Sequence, residues 1–171
     1  HAAAKARDVL RLTRAASFTT YAGGGIPDPD DPLAFGSYLG RPESEAVVAS
    51  ADVVIAVGTE LSECDLWRDK LGHTAPMVRV DIDPVSLSDG HRADVQVRAD
   101  AGAFLTALAK GLADHTPSTT WKAAEVAAAR ARWKAEVDAD RPHIVPVCDA
   151  LRQALPPDTM IFSDMTQFAY V

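Results

Sequence analysis

Polar or glycine residues follow three apolar runs of the chain, each where the run ends. Gly58 follows the run VVIAV, Asp81 follows MVRV, and Asp100 comes shortly after VQVR. In open parallel sheets, ligands bind at the carboxyl ends of the strands. A glycine there lets a ligand approach the backbone, and a carboxylate can accept hydrogen bonds from ribose hydroxyls. The pattern is equally compatible with carboxylates that only solvate strand ends and cap the next segments.

A second set of glycines follows the β-prone segment 17–21. Gly23, Gly24 and Gly25 form a loop that can present bare backbone N–H groups to a phosphate. The match to a dinucleotide fingerprint is poor, because no G-x-G-x-x-G pattern opens a helix here. Gly40 closes the stretch 33–40, which we expect to be irregular. These glycines are therefore candidates for a ligand edge rather than a recognised motif.

The elements that position these residues alternate between strands and helices. Residues 53–57 contain no polar side chain, which predicts a strand covered on both faces near the centre of a parallel sheet. We expect the other strands at 17–21, 77–80, 95–98 and 160–162. We expect helices at 2–14, 42–50, 101–112, 121–137 and 144–155. Helix 121–137 has a thin apolar face and is expected to lie across a surface, and Asp100 stands at the N-cap position of helix 101–112. The alternation indicates an α/β protein.

Length and charge exclude several classes of function. A chain of 171 residues fits one domain with part of a second, and its formal charge of −7 disfavours nonspecific nucleic-acid binding. No apolar run is long enough to span a bilayer. Cys64 and Cys148 lie far apart and form no metal-binding pattern, which is typical of a reduced, cytoplasmic protein. The chain starts at His1 rather than Met, as expected either of a residue left by cloning or of a piece cut from a longer protein.

An ordered series of segments resembles one known family. The series is TTYAGGG, DDPLAFG, ADVVIAVGTELSE, VRVDIDP and ADVQVRADAGAFLTAL. It resembles the central domain of thiamin-diphosphate-dependent 2-oxoacid enzymes, which include acetohydroxyacid synthases and benzoylformate-type decarboxylases. The tail VCDALRQALPPDTMIFSDMTQFAYV resembles the start of that family's diphosphate-binding domain. The resemblance implies a central domain at 1–140, with a Rossmann-like (DHS-like), doubly wound parallel sheet of about six strands. It implies the truncated beginning of a C-terminal domain at 141–171.

The resemblance also implies where cofactors would bind. In flavin-carrying members the central domain holds FAD, and the corresponding positions here are Gly23, Gly24, Gly25, Gly40, Gly58, Asp81 and Asp100. Two departures disfavour FAD in this chain. Glu60 stands where flavin-binding members have an arginine, and a glutamate would repel a diphosphate. Leu39 replaces the histidine expected beside Gly40. The family's diphosphate loop corresponds to Asp164–Gln167, so Thr166 and Gln167 are the implied contacts for thiamin diphosphate, with Thr166 in place of the usual glycine.

The implied activity belongs to the full-length protein rather than to this chain. The resemblance implies C–C bond cleavage or formation on a small 2-oxo acid, with thiamin diphosphate and Mg²⁺, in a cytoplasmic homodimer or homotetramer. No catalytic residue or metal ligand is expected in this segment, which lacks the family's Gly-Asp-Gly motif. Two alternatives remain open: a free-standing FAD- or nucleotide-binding module, and a purely structural domain that serves oligomer packing.

Overall fold

The computed structural model of the protein describes residues 2–28, 30–156, 159–164 and 166–170, without the side chain of Gln167. Helices and strands alternate along the first two thirds of the chain, and two longer helices follow. In chain order the elements are α1 (Ala2–Thr13), β1 (Ser17–Phe18), β2 (Ala34–Gly36), α2 (Ser44–Ala49), β3 (Val54–Val57), α3 (Glu63–Leu66), β4 (Met77–Asp81), α4 (Pro84–Leu87), β5 (Val95–Arg98), α5 (Ala101–Gly111), α6 (Ala123–Asp140) and α7 (Ile144–Ala154). One-turn 3₁₀ helices span Tyr21–Gly23 and Gln167–Tyr170.

The strands of the described residues form two parallel sheets, which confirms the α/β class. One sheet pairs β1 with β2, and the other has the order β3–β4–β5. The second sheet is in continuous register, with Val54 opposite Met77 and Val78 opposite Val95. A single sheet of six strands is not present among the residues that the structure describes. The short strand β2 lies where an irregular stretch was expected, while residues 160–162 are not a strand.

The centre of the larger sheet is β4 rather than the apolar run 53–57. Met77 and Arg79 are 0% exposed and Val80 is 1% exposed. In contrast, Val53 and Ile55 are 49% and 42% exposed, because β3 forms an edge of its sheet in the described residues. The prediction of a strand buried on both faces at the sheet centre is therefore wrong for this run. Burial depends on what packs against a strand, and in the part of the chain that the structure describes β3 has a neighbouring strand on one side only.

Two hydrophobic clusters hold the elements together. The first lies on one face of the β3–β5 sheet and contains Leu39, Val48, Ala56, Leu61, Leu66, Leu71 and Met77. The second joins β2 to α6 and contains Leu33, Phe35, Val126, Ala129 and Trp133. Phe18 of β1 packs against both clusters and stacks on Phe35, with ring centroids 4.6 Å apart. The apolar stripe of α6 is narrow, as expected, yet Trp133 is completely buried against β2.

Helices α1 and α5 pack against each other, and α5 also contacts β4. The Oδ1 atom of Asp100 accepts a hydrogen bond from the Ala103 N–H at 2.9 Å, which caps α5. Asp83 caps α4 in the same way through the N–H of Val85. The two carboxylates thereby start helices directly after the ends of β5 and β4.

Candidate functional site

The structure places three of the candidate residues along one edge of the β3–β5 sheet. Gly58 follows β3, Asp81 ends β4, and Asp100 comes two residues after β5. The N–H of Gly58 donates to the carbonyl of Val80 at 2.8 Å, which extends the ladder to this edge. Gly58 has φ = +59°, a left-handed backbone conformation that residues other than glycine rarely adopt. The structure therefore brings these three residues to the carboxyl ends of neighbouring parallel strands, and ligand binding there stays a prediction.

The two carboxylates at this edge already have backbone partners. One oxygen of Asp81 accepts from the Asp83 N–H at 2.9 Å, and one oxygen of Asp100 caps α5. The capping interpretation of Asp100 is confirmed. A contact to a ribose would have to use the remaining lone pairs of these carboxylates, and that role stays a prediction.

Arg79 of β4 anchors the loop after β3 through hydrogen bonds, and sequence analysis did not single out this residue. Its guanidinium is completely buried and donates to the carbonyls of Thr59 and Glu60 at 3.2 and 3.1 Å. It also pairs with both carboxylate oxygens of Asp89 and donates to the carbonyl of His91 at 3.2 Å. Arg79 thus joins the loops that follow β3 and α4. The signal was present in the sequence, since an arginine inside the apolar run MVRV needs an anionic partner if it is buried.

Arg79 changes the electrostatics of its partner. The hydrogen bond from the Arg79 side chain holds the pKa of the Asp89 carboxyl below its usual range, against the opposing effect of burial. The side chain of Asp89 is 31% exposed, so the pair lies between the sheet and solvent. Because the buried cation is neutralised by Asp89, it is not available to a ligand diphosphate near Gly58. Glu60 itself is exposed at this edge.

The glycine loop uses its backbone groups internally. The N–H of Gly23 donates to Thr20 Oγ1 at 3.2 Å, and the N–H of Gly24 donates to the carbonyl of Tyr21 at 3.3 Å. The carbonyls of Gly25 and Ile26 accept from the Arg7 guanidinium at 2.8 and 2.9 Å. The loop is therefore anchored to α1 and offers a phosphate few free N–H groups. This geometry does not favour phosphate binding at Gly23, Gly24 and Gly25, which stays a prediction.

A small cavity lies where the loops after β1, β2 and α3 meet. Its volume is about 10 Å³, which is enough for one water molecule. The ring of Tyr170 lines it, with its centroid 5.1 Å from the Trp67 ring and 5.7 Å from the Tyr21 ring. Gly40 also lines it, and a Cβ added to Gly40 would lie 3.1 Å from the Trp67 ring. A cavity of this volume is too small for a flavin.

The diphosphate candidates lie on the turn that carries Tyr170. The N–H of Thr166 donates to the carbonyl of Asp164 at 2.6 Å, and Thr166 is exposed at the start of the last 3₁₀ turn. The side chain of Gln167 is outside the described residues, so its contact stays a prediction. The hydroxyl of the exposed Thr166 can donate a hydrogen bond to a diphosphate oxygen, and this contact also stays a prediction. Within the described residues, no cluster of three or more His, Cys, Asp or Glu side chains could hold a metal ion.

A wider groove runs between α6, α7 and the C-terminal turn, and sequence analysis did not anticipate it. Its volume is about 580 Å³, and three cations line it: Arg130, Lys134 and Arg152. Lys134 already pairs with Asp149 at 2.8 Å. Burial raises the pKa of the Cys148 thiol, which also lines the groove.

Among the described helices, none combines the length and the apolar character that crossing a membrane requires.

Comparison with known proteins supports the resemblance seen in the sequence. The sequence model of the thiamine pyrophosphate enzyme central domain matches residues 1–108. A probable 2-ketoarginine decarboxylase of Pseudomonas aeruginosa is 37% identical over 153 residues, which is 90% of this chain and 27% of the relative. A pyruvate oxidase of Lactiplantibacillus plantarum is 32% identical over 108 residues, which is 61% of this chain and 18% of the relative. The chain thus spans about a quarter or less of these relatives' length, and it belongs to the thiamine pyrophosphate enzyme family, of which it carries the central domain.

Proposed function

We propose that this chain is the central segment of a thiamin-diphosphate-dependent decarboxylase that acts on a small 2-oxo acid. The observation that supports this most is the similarity to the probable 2-ketoarginine decarboxylase, which covers 90% of the chain. The central-domain match ends at residue 108, so this similarity continues into the region of α6 and α7. The agreement therefore extends beyond the residues that form the sheet.

The proposed division places a central domain at 1–140 and the start of the diphosphate-binding domain at 141–171. Support comes from the apolar surface of the second segment: Val147, Leu151, Met160, Ile161 and Phe162 are all more than two fifths exposed. A cluster of large exposed apolar side chains marks a surface that packs against further polypeptide.

A carboligase, which forms rather than breaks a C–C bond, remains the alternative within the same family.

In the proposed enzyme, thiamin diphosphate would supply a carbon nucleophile for the 2-oxo acid. This chain contributes hydrogen bonds at the margin of the diphosphate, from Thr166 and Gln167, each worth about 1 kcal/mol. The ligands of Mg²⁺ and the catalytic acid lie elsewhere in the proposed homodimer or homotetramer. The β3–β5 sheet has a structural role without flavin, which agrees with the water-sized cavity beside Gly40 and with the neutralised Arg79.

The test compares the natural longer protein with residues 1–171. With thiamin diphosphate and Mg²⁺ added, the longer protein should release CO₂ from 2-oxo acids, and 2-ketoarginine and pyruvate are the first to try. The 1–171 chain should release none, and calorimetry should find no thiamin diphosphate binding tighter than about millimolar, since isolated hydrogen bonds give little affinity. Micromolar binding of thiamin diphosphate by residues 1–171 would mean that the cofactor site lies in this segment, contrary to the proposal. A longer protein without any activity on 2-oxo acids would contradict the proposed reaction.

A matched pair of variants tests the role of Thr166. Thr166→Ala in the longer protein should weaken thiamin diphosphate by about 5- to 10-fold, which corresponds to one hydrogen bond. Thr159→Ala, at another exposed threonine of the same segment, should leave the affinity unchanged. Equal effects of both variants would argue against a contact at Thr166.

A further inference from the structure

Trp67 has a position that packing in the hydrophobic clusters does not explain. It follows helix α3 directly and is 48% exposed, so its large ring gains only part of the benefit of burial. Its backbone has φ = +51°, in the left-handed region that is unfavourable for a bulky residue. Such strain persists where the surrounding structure holds a residue in place, and it is concentrated at functional positions. The contacts of the Trp67 ring therefore indicate what its position is for.

Two residues that precede α2 fix the Trp67 ring. The guanidinium carbon of Arg41 lies 5.6 Å from the ring centroid, within the range of a cation–π interaction. Arg41 is itself buried and donates to Asp140 Oδ2 at 2.7 Å, at the end of α6. A Cβ added to Gly40 would lie 3.1 Å from the ring, so the ring has its present place because position 40 carries no side chain. The ring is thus held by an arginine and accommodated by a glycine.

The same ring contacts the C-terminal turn through Tyr170. The centroids of the Tyr170 and Trp67 rings are 5.1 Å apart and their planes are tilted by 59°, a favourable arrangement for an aromatic pair. Tyr170 ends the 3₁₀ turn that follows Thr166, and the N–H of Ala169 donates to the carbonyl of Thr166 at 2.9 Å. The backbone of this turn therefore connects the ring of Tyr170 to the position of Thr166. Phe168, the other ring of the turn, is 44% exposed.

We propose that Trp67 is a positioning residue: its ring binds Tyr170 and so holds the turn 166–170 where Thr166 can reach the diphosphate of thiamin diphosphate. The last step rests on the proposed function, whereas the docking of the turn does not. The role accounts for three observations together, namely the exposed indole, its left-handed backbone and the requirement for a glycine at position 40. Through Arg41 the same ring is also linked to the end of α6, so both ends of the segment 140–170 are fixed at one place.

Amide hydrogen exchange in the natural longer protein tests the docking of the turn. Trp67→Ala should make the Ala169 amide exchange at least about 10-fold faster, because the turn loses the partner of Tyr170. Trp67→Phe keeps an aromatic ring and should preserve most of the protection. Tyr170→Ala removes the other ring of the pair, so it should have the effect of Trp67→Ala, and the double variant should add little.

A matched control separates docking from a general loss of stability. Trp121→Ala removes an indole from the cluster between β2 and α6, where Trp121 packs edge-on against Phe35. It should leave the exchange of the Ala169 amide within about twofold of the parent. Parental exchange in Trp67→Ala would overturn the proposal, and so would equal acceleration by Trp67→Ala and Trp121→Ala.

Cofactor affinity tests the positioning role. Trp67→Ala in the longer protein should weaken thiamin diphosphate about 3- to 10-fold and leave kcat at saturating cofactor within about twofold, because Trp67 touches no reacting atom. Trp67→Phe should restore the affinity. Combining Trp67→Ala with Thr166→Ala should weaken binding by less than the product of the two single effects, since both act through one contact.

Two outcomes of the affinity measurement would overturn the positioning role. These are a full product of the two effects in the double variant, and an affinity loss in Trp121→Ala as large as that in Trp67→Ala. Failure of the proposed function would look different. Thr166→Ala alone would then leave the affinity unchanged, and exchange at Ala169 would decide whether Trp67 docks the turn.

Discussion

Strands β3 and β4 are neighbours with opposite relations between composition and burial. Residues 53–57 are wholly apolar, yet Val53 and Ile55 are about half exposed. Strand β4 contains Arg79, yet that arginine is completely buried. The difference lies in the neighbours: β4 pairs on both sides, whereas β3 pairs on one side in the described residues. An apolar sequence marks a strand that can be buried, and the surrounding elements decide whether it is.

The largest effect is expected when a charge replaces a core residue of β4. Val80 is 1% exposed, so Val80→Asp would bury an unpaired carboxylate or force its protonation. We expect a loss of about 4 kcal/mol or more, comparable to the whole stability of a small domain. Urea unfolding measures it, with Val80→Ala as the milder control. A variant that unfolds at the parent's urea concentration would mean that β4 is not the sheet centre.

The next effect concerns the arginine in the same strand. Arg79→Ala removes the donors that hold the carbonyls of Thr59, Glu60 and His91 and leaves Asp89 without its partner. We expect a loss of about 3 kcal/mol in the free energy of unfolding. Arg98→Ala, on the exposed strand β5, should cost less than about 0.5 kcal/mol. Similar costs for the two variants would contradict the role assigned to the buried guanidinium.

A smaller, pH-dependent effect is expected from the partner of Arg79. The folded-state pKa of Asp89 is lowered, so its contribution to stability is present above its unfolded pKa of about 3.9 and is lost as the pH falls through the folded value. Below about pH 4 the parent should therefore lose stability more steeply than Asp89→Asn. Thermal unfolding across this range measures the difference, and parallel pH profiles would show that the pair contributes nothing to acid sensitivity.

The smallest effect is expected at the residue that the sequence alone marked as most deeply buried. Ile55 is 42% exposed, so Ile55→Asp leaves its carboxylate in contact with water. We expect a change of less than about 1 kcal/mol in residues 1–171, near the range of ordinary surface substitutions. A loss as large as that of Val80→Asp would restore the earlier prediction of a central, doubly covered strand.

Local sequence predicted most elements and the edge on which the candidate residues lie. Strand β5 has the expected bounds, and β4 and α5 differ from expectation by one residue. Short-range signals suffice for these elements, because apolar periodicity and the Asp100 cap depend on adjacent residues only. The strand β2 was missed, since its pairing with β1 depends on residues 17 positions away.

The site was harder to predict because it depends on contacts between distant segments. Trp67 and Tyr170 are about a hundred residues apart in the chain, yet their rings meet in the cavity beside Gly40. Arg79 reaches carbonyls some twenty positions earlier. Sequence patterns name residue types suited to a site, whereas the space between them and the partners already engaged follow from tertiary packing.

The attachment of the β3 loop to Arg79 has an evolutionary consequence. The guanidinium binds the carbonyl oxygens of Thr59 and Glu60, which every amino acid possesses, and not their side chains. The path of the loop backbone is therefore largely independent of the side chain at position 60. Mutations there can alter the charge presented at the edge of the sheet while the strand below preserves its shape. A lineage could in this way gain or lose a bound anion at this edge without having to rebuild the domain.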